Sequence, residues 1–169
     1  MQIYIMRHGQ AEMMARSDAE RALTFLGRSE SEIMATYLAN EDVSFDAVLV
    51  SPYLRAQQTW ETVRPFFTDV ANVQTTEFLT PHGSTHKSVN EILALQASGV
   101  KNMLIVSHLP LVGYIVGELA PDAGVPAFAT SSVGHVELDE DGFGYLHDLT
   151  AVSDINSAFK KEGADKHGY

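Results

Sequence analysis

Short apolar runs alternate with longer amphipathic segments along this chain, and that alternation is the strongest constraint on its fold. The apolar runs occupy residues 2–6, 46–50 and 103–106, and a weaker one occupies residues 72–76. Runs of this kind are typical of strands that are buried on both faces of a parallel sheet. We therefore predict an α/β fold, a three-layer αβα sandwich whose central sheet is mostly parallel.

The amphipathic segments carry signals for where helices begin and end. Thr24 can cap a helix over residues 27–39, and Ser84 or Thr85 can cap another that ends near Gly99. Both segments place apolar residues on one stripe, as a helix packed against a sheet requires.

Two prolines indicate two further helices. Pro52 and Pro110 suit a first helical turn, because the N–H group that proline lacks would be unpaired there. These helices would extend to Pro65 and Pro121.

The last third of the chain has the pattern of an antiparallel hairpin. Residues 130–138 and 142–148 read as strands, and the Asp141-Gly142 step between them is a strong hairpin signal. Residues 153–169 show little apolar periodicity, so we expect a tail that is disordered or forms only a short helix. Residues 1–152 are predicted to form a single domain.

Charge and cysteine content exclude several classes of function. With 22 acidic and 11 basic residues the chain carries a formal net charge of −11, which disfavours nucleic acid and anionic membranes as partners. It has no cysteine, which excludes a thiolate nucleophile and is consistent with a reducing cytoplasm. No signal peptide or membrane-length apolar segment is visible, so a soluble cytoplasmic protein is expected.

Polar side chains with phosphate-binding chemistry follow three of the predicted strands. Arg7 and His8 end the first strand, Arg55 follows the second, and His108 follows the strand at residues 103–106. Gly9 would let the backbone turn sharply after His8. Each of these residues alone could simply face solvent, but the carboxyl ends of parallel strands meet at one edge of a sheet. We therefore expect the four side chains to lie together.

The expected cluster suits phosphoryl transfer. Guanidinium groups match the oxygens of a phosphoryl group, and a histidine can attack phosphorus or donate to an oxygen. No carboxylate cluster suggests a magnesium site, and Gly83 and Ser84 separate His82 from the helix that would carry His86, which disfavours zinc. A reaction without a metal or other cofactor is predicted.

Arg21 is a further candidate for substrate binding. It lies in a polar segment, residues 10–22, that we expect to be an exposed loop near the first turn. Arg21 could fold back toward Arg7 and His8 or lie in solvent, and ordinary exposure of arginine favours solvent.

The motifs at the strand ends resemble the histidine phosphatase (phosphoglycerate mutase-like) superfamily, and more narrowly its small bacterial phosphohistidine phosphatases. The broader resemblance is carried by Arg7-His8-Gly9, Ser51-Pro52-Tyr53-Leu54-Arg55-Ala56-Gln57-Gln58-Thr59 and Ser107-His108, and the narrower one by Arg21-Ala22-Leu23-Thr24, Phe78-Leu79-Thr80-Pro81 and residues 107–114.

The resemblance implies a role for each site residue. His8 would be the phosphorylated nucleophile, while Arg7, Arg55 and His108 would hold and neutralise the phosphoryl group. Because His8 must attack as a neutral imidazole, its other ring nitrogen should donate to a backbone carbonyl or a similar group.

The sequence departs from the broader superfamily at one position, and the departure bears on the substrate. Many members place a glutamate after the third strand to protonate the leaving oxygen, whereas here Glu77 is offset and the loop continues through His82. Losing a general acid costs an alkoxide leaving group roughly 10²–10⁴-fold in rate, and an imidazole leaving group less. The expected substrate is therefore a phosphorylated histidine-containing phosphotransfer or phosphocarrier protein, with phosphate as product. A small-molecule phosphomonoesterase or a phosphate-binding module without turnover are the alternatives.

Overall fold

The computed structural model describes residues 1–156, in which four strands alternate with four helices and a pair of strands follows, as the sequence predicts. In chain order they are β1 (Gln2–Arg7), α1 (Phe25–Asn40), β2 (Ala47–Val50), α2 (Leu54–Val63), β3 (Asn72–Thr75), α3 (Thr85–Ala97), β4 (Asn102–Ser107), α4 (Leu111–Leu119), β5 (Val133–Leu138) and β6 (Gly144–Thr150).

The six strands form one mixed sheet in the order β3-β2-β4-β1-β5-β6. The first four are parallel, whereas β5 and β6 form the predicted antiparallel edge. Apolar residues of α1 and α2 pack with one face of the sheet, and those of α3 and α4 pack with the other. The predicted three-layer αβα architecture is confirmed.

The order of the strands places a reversal point between β1 and β4. These two strands are neighbours, yet the chain leaves β1 toward β2 on one side and leaves β4 toward β5 on the other. Connections that diverge in this way open a crevice at the carboxyl ends of the two strands, where ligands bind in open α/β sheets.

Both predicted helix caps are present. The Thr24 hydroxyl accepts a hydrogen bond from Gly27 N at 3.0 Å, and the Ser84 hydroxyl accepts one from Lys87 N at 3.1 Å. Each cap satisfies one of the N–H groups that the first turn of a helix leaves unpaired.

Most element boundaries differ from prediction by one to three residues, and two of these differences have clear local reasons. Helix α2 begins at Leu54, because Tyr53 is an extended N-cap residue and Pro52 precedes it. Strand β5 begins at Val133 instead of residue 130, because Ser131 has a φ of 60° and breaks the extended conformation.

The hairpin and the segment after it occupy the end of the described chain. The turn is held by Asp139, whose carboxylate accepts from the N–H groups of Asp141 and Phe143 at 2.9 Å each. After β6, residues 152–156 are helical, with Val152 and Ile155 buried in the core on the α1 side of the sheet. The tail predicted over residues 153–169 lies mostly outside the described residues, and the single domain over 1–152 stays a prediction.

In the part of the chain that the structure describes, no helix is both long and apolar enough to cross a membrane.

Replacing Gly27 by alanine should lower the free energy of unfolding by roughly 1–3 kcal/mol, as overpacking does. A Cβ atom there would overlap the carbonyl oxygen of Gln10, so the usual helical preference for alanine is reversed. Urea unfolding followed by circular dichroism measures the change. Thr36→Ala, at an exposed position of α1, is the control and should be nearly neutral; equal midpoints for the two variants would contradict the prediction.

Candidate active site

The pairing of β1 with β4 brings His8 and His108 side by side. Arg7 lies opposite Ser107 in the parallel register, so each histidine is the first residue beyond its strand. The ladder continues for one more bond, since His8 N donates to Ser107 O at 3.0 Å. The two ring centroids are 5.0 Å apart, and the predicted meeting of the strand ends is confirmed.

The hydrogen bonds of the His8 ring assign its tautomer. Its Nδ1 lies 2.7 Å from Gly9 O, an atom that can only accept, so Nδ1 carries the proton. Its Nε2 is 3.3 Å from Arg55 Nε, which can only donate, so Nε2 carries no proton and accepts with its lone pair. The expected bond to a backbone carbonyl is present, and the nucleophilic nitrogen faces the arginine.

Gly9 is needed for close packing and not for the sharp turn that we predicted from sequence. Its φ is not positive, but a Cβ atom would lie 2.7 Å from Gly27 O and 2.9 Å from Ser31 Oγ. On the other side, Gly9 N donates to Thr59 Oγ1 at 3.0 Å. Helices α1 and α2 thus clamp the residue whose carbonyl orients His8.

Arg55 is 4% exposed, in the first turn of α2. Besides contacting His8, it donates from Nη1 to the backbone oxygen of Asp18 at 2.6 Å and from Nη2 to Oδ2 of Asp18 at 3.2 Å. Arg55 therefore does not face solvent: it is a buried arginine whose partners are His8 and the exposed carboxylate of Asp18.

Arg21 is partly buried within its own loop and does not extend into solvent. Its Nε donates to Glu12 O at 2.7 Å, and its Nη1 lies 3.0 Å from Oδ1 of Asp18. The loop predicted over residues 10–22 therefore folds back over the site through Asp18, which sits in a short 3₁₀ helix, Asp18–Glu20. Sequence reasoning missed Asp18; its spacing of three from Arg21 was the one available signal.

Arg7 is held from the opposite side of the crevice. Its Nη1 donates to Phe128 O at 2.8 Å, in the segment before β5. The backbone beside it is fixed as well, since Ser131 N donates to the carbonyl oxygens of both Arg7 and His8.

Ser51 is the hydrogen-bond partner of the His108 ring. The Ser51 hydroxyl oxygen accepts from Tyr53 N at 3.2 Å and lies 2.7 Å from Nε2 of His108. A serine hydroxyl has one proton and two acceptor sites, so it can accept from Tyr53 N and donate to His108 Nε2 at the same time. We assign His108 the tautomer that this arrangement requires, with the ring proton on Nδ1. The motif that contains Ser51 does not by itself indicate this role.

Burial keeps both histidines neutral. It is the main cause that lowers the pKa of His8 to about 4, and the positive charges of Arg55, Arg7 and Arg21 lower it further against the opposing bond to Gly9. The pKa of His108 is lowered far below its usual range, first by burial and then by His8. Burial and the charge of Arg55 also lower the pKa of Arg7.

Two of the nitrogen atoms at this edge are buried without a partner. Among the described residues, three buried side-chain polar atoms make no hydrogen bond: Arg7 Nε, His108 Nδ1 and Thr76 Oγ1. The first two are donors in the crevice. An unsatisfied buried donor costs about 1–3 kcal/mol, and a hydrogen bond to an oxyanion would remove that cost. No group of three or more His, Cys, Asp or Glu side chains within residues 1–156 is placed to hold a metal ion.

Comparison with known proteins identifies the family of this chain. The model of the histidine phosphatase superfamily (branch 1) matches residues 3–80. Phosphohistidine phosphatase SixA of Escherichia coli (strain K12) is 44% identical over 144 residues, which are 85% of this chain and 89% of that protein. The chain belongs to the histidine phosphatase superfamily.

Two further relatives place it within that superfamily. The phosphohistidine phosphatase SixA homolog of Haemophilus influenzae (strain ATCC 51907 / DSM 11121 / KW20 / Rd) is 44% identical over 82% of this chain and 89% of its own length. The solved structure of the protein histidine phosphatase SixA complexed with tungstate superposes with a TM-score of 0.89 at 41% identity, covering 92% of this chain and 99% of that one.

The His8 ring should remain neutral until about pH 4, well below the ordinary histidine value of 6.5, because burial and the arginine charges oppose its protonation. Long-range ¹H–¹⁵N correlation spectra at neutral pH should show a protonated Nδ1 and a bare Nε2. Comparison with His8→Gln assigns the signals, and a midpoint near 6.5 would refute the assigned environment.

Ser51→Ala should reduce kcat about 10-fold to 100-fold, because His108 loses the partner that holds a proton on Nδ1, and losing a transition-state donor costs at most about 10²–10³-fold. The matched control is Ser107→Ala, which removes a buried hydroxyl that donates only to Leu79 O. The control should retain activity. Equal kcat values for the two variants would contradict the role of Ser51.

Proposed function

We propose that this protein is a phosphohistidine phosphatase that removes the phosphoryl group from a histidine of a phosphotransfer or phosphocarrier protein in the cytoplasm, through a phospho-His8 intermediate. The observation that carries the proposal is the neutral Nε2 of His8, which faces a buried cluster of cationic and neutral donors with unpaired N–H groups. The names of the two bacterial relatives, each 44% identical, support the same substrate class.

In the first step the lone pair of His8 Nε2 attacks phosphorus, and the bond from phosphorus to the substrate nitrogen breaks with its electron pair on that nitrogen. Arg55, which contacts Nε2 of His8 in the structure, turns its N–H groups to the phosphoryl oxygens. Arg7 Nε and His108 Nδ1 donate to the remaining phosphoryl oxygens. Charge-assisted hydrogen bonds of this kind are about twice as strong as neutral ones. They compensate the charge that spreads over the oxygens during transfer.

In the second step water attacks the phosphorus of phospho-His8. The P–Nε2 bond breaks, its electron pair returns to Nε2, and the proton lost by water passes to phosphate or solvent. Gly9 O holds the proton on Nδ1 throughout, so His8 leaves as a neutral imidazole and not as an anion. The buried hydrogen bond to Gly9 therefore serves both half-reactions.

The surroundings of the crevice favour a protein-borne phosphohistidine over a small phosphate ester. Glu77 and His82, the two candidates for a general acid, are both exposed, and the carboxylate that contacts the cluster is that of Asp18. The connections after β2 and β4 are short, at residues 51–53 and 108–110. With such short connections the crevice stays open beside β2 and β4, where it can accept a side chain presented by another protein.

Exposed apolar side chains beside the site support a protein partner. Leu54 precedes Arg55, and Leu109 follows His108; both are exposed despite their apolar character. Met13 and Met14 are exposed as well and line a surface hollow together with Asp18. Apolar groups concentrated at the mouth of a polar site are typical of a surface that meets another protein.

His8→Ala should reduce turnover of a phosphorylated histidine phosphotransfer domain by more than about 10⁴-fold, because the nucleophile is removed. Rapid-quench assays with ³²P-labelled domain should show wild-type protein labelled on His8, by an acid-labile bond, before phosphate is released. A panel of sugar and alcohol phosphates should be turned over less efficiently.

The controls separate this function from the small-molecule alternative. His82→Ala and Glu77→Gln should retain activity toward the phosphoprotein, because neither residue is assigned to that reaction. Loss of activity in either variant, together with preferred turnover of esters, would indicate a phosphomonoesterase. Absence of any label on His8 would refute the covalent mechanism.

A further inference from the structure

Asp18 lies in the site, but neither of the two half-reactions described above uses it. Its Oδ2 lies 3.2 Å from Arg55 Nη2, and the same arginine contacts Nε2 of His8 through Nε at 3.3 Å. The nucleophile and this carboxylate are thus neighbouring acceptors on one guanidinium group. A phosphoryl group that replaces His8 as the partner of Arg55 must lie next to Asp18.

The difference in exposure places Asp18 on the side from which the substrate enters. His8 is 7% exposed, whereas the side chain of Asp18 is 55% exposed. A phosphoryl group attacked by His8 carries its leaving group on the face opposite the nucleophile, because the attacking and leaving atoms are roughly in line. The leaving group therefore reaches the outer side of the crevice, where the carboxylate of Asp18 lies.

Asp18 is an acceptor in this position and not an acid. Hydrogen bonds from Arg21 and Arg55 hold the pKa of its carboxyl below the usual range. A carboxylate repels phosphoryl oxygens, so the group that it can recognise on the substrate must carry a proton. The bridging oxygen of a phosphate ester has none, whereas the ring of phosphohistidine has a second nitrogen that can carry one.

That second nitrogen decides how the imidazole leaves. If it is protonated, cleavage of the P–N bond returns the electron pair to the first nitrogen and releases a neutral imidazole; if it is bare, the departing group is an imidazolate anion. A carboxylate that accepts a hydrogen bond from the protonated nitrogen favours the first course. Gly9 O accepts the corresponding hydrogen bond from His8 Nδ1. The phosphoryl group would therefore pass between two imidazole rings, and in each ring the nitrogen that does not bind phosphorus would donate its proton to an oxygen.

We propose that Asp18 is a specificity-determining residue whose carboxylate accepts a hydrogen bond from the non-phosphorylated ring nitrogen of the substrate phosphohistidine. The inference rests on the proposed function and deepens it, because it makes recognition of the leaving imidazole a property of this chain. Arg21 and Arg55 position the carboxylate and keep it charged.

The test compares substrates that share the phosphoryl group and differ in the leaving group. For Asp18→Asn we expect kcat/KM toward phosphoimidazole and toward the phosphorylated phosphotransfer domain to fall about 10-fold to 100-fold, as when a charge-assisted contact to the leaving group is lost. Turnover of p-nitrophenyl phosphate should be unchanged or faster. Inhibition by inorganic phosphate should be unchanged or tighter, because Arg55 loses a competing anion.

Glu20→Gln is the matched control, since it removes the same charge from an exposed residue of the same 3₁₀ helix. It should leave kcat/KM unchanged toward both phosphoimidazole and p-nitrophenyl phosphate. An equal loss in Asp18→Asn toward phosphoimidazole and p-nitrophenyl phosphate, or weaker inhibition by phosphate, would overturn the inference by showing that Asp18 only positions the arginines. No change toward either substrate would also overturn it. The wild-type arm decides the proposed function separately, and a wild-type protein that is inactive on both P–N substrates would refute both.

Discussion

The parallel pairing of β1 with β4 is the constraint on which the whole site depends. Neighbouring strands lie about 4.8 Å apart, so residues in register beyond their ends must be neighbours too. Here those residues are His8 and His108, with ring centroids 5.0 Å apart. A slip of one residue in either strand would turn a ring to the opposite face. Thr59 then holds the backbone at Gly9, next to His8, and Ser51 holds the ring of His108.

Burial of several cationic groups in one crevice produces both halves of the chemistry. Protonating His8 would add a further positive charge beside Arg7 and Arg55, away from water, so the ring stays neutral and nucleophilic. The same burial leaves the arginine charges poorly solvated and receptive to an anion. Because the chain as a whole carries a charge of −11, this attraction is local and not a property of the surface. Asp18 balances part of it from the rim.

The features of the fold and the site that could be predicted from the sequence are those that depend on local pattern. Strand ends, the caps at Thr24 and Ser84 and the hairpin at Asp139 depend on a few adjacent residues, and each was predicted in kind. Asp18 was missed because it stands in a polar segment among other charged residues, where nothing local distinguishes it. The sequence pattern also predicted that Gly9 is needed for a sharp turn, whereas the structure shows that glycine is required there by close contact with α1.

The sequence alone determined which residue types carry the chemistry, that they follow apolar runs, and that no cysteine takes part. These features follow from periodicity and composition, which do not depend on distant contacts. Which tautomer each histidine adopts, which arginine donors are unpaired and which carboxylate faces the leaving group were decided only by the tertiary structure. Those properties depend on partners far along the chain, such as Ser51 for His108 and Phe128 for Arg7. Hydrogen bonds act over about 3 Å, and only folding brings such groups within that distance.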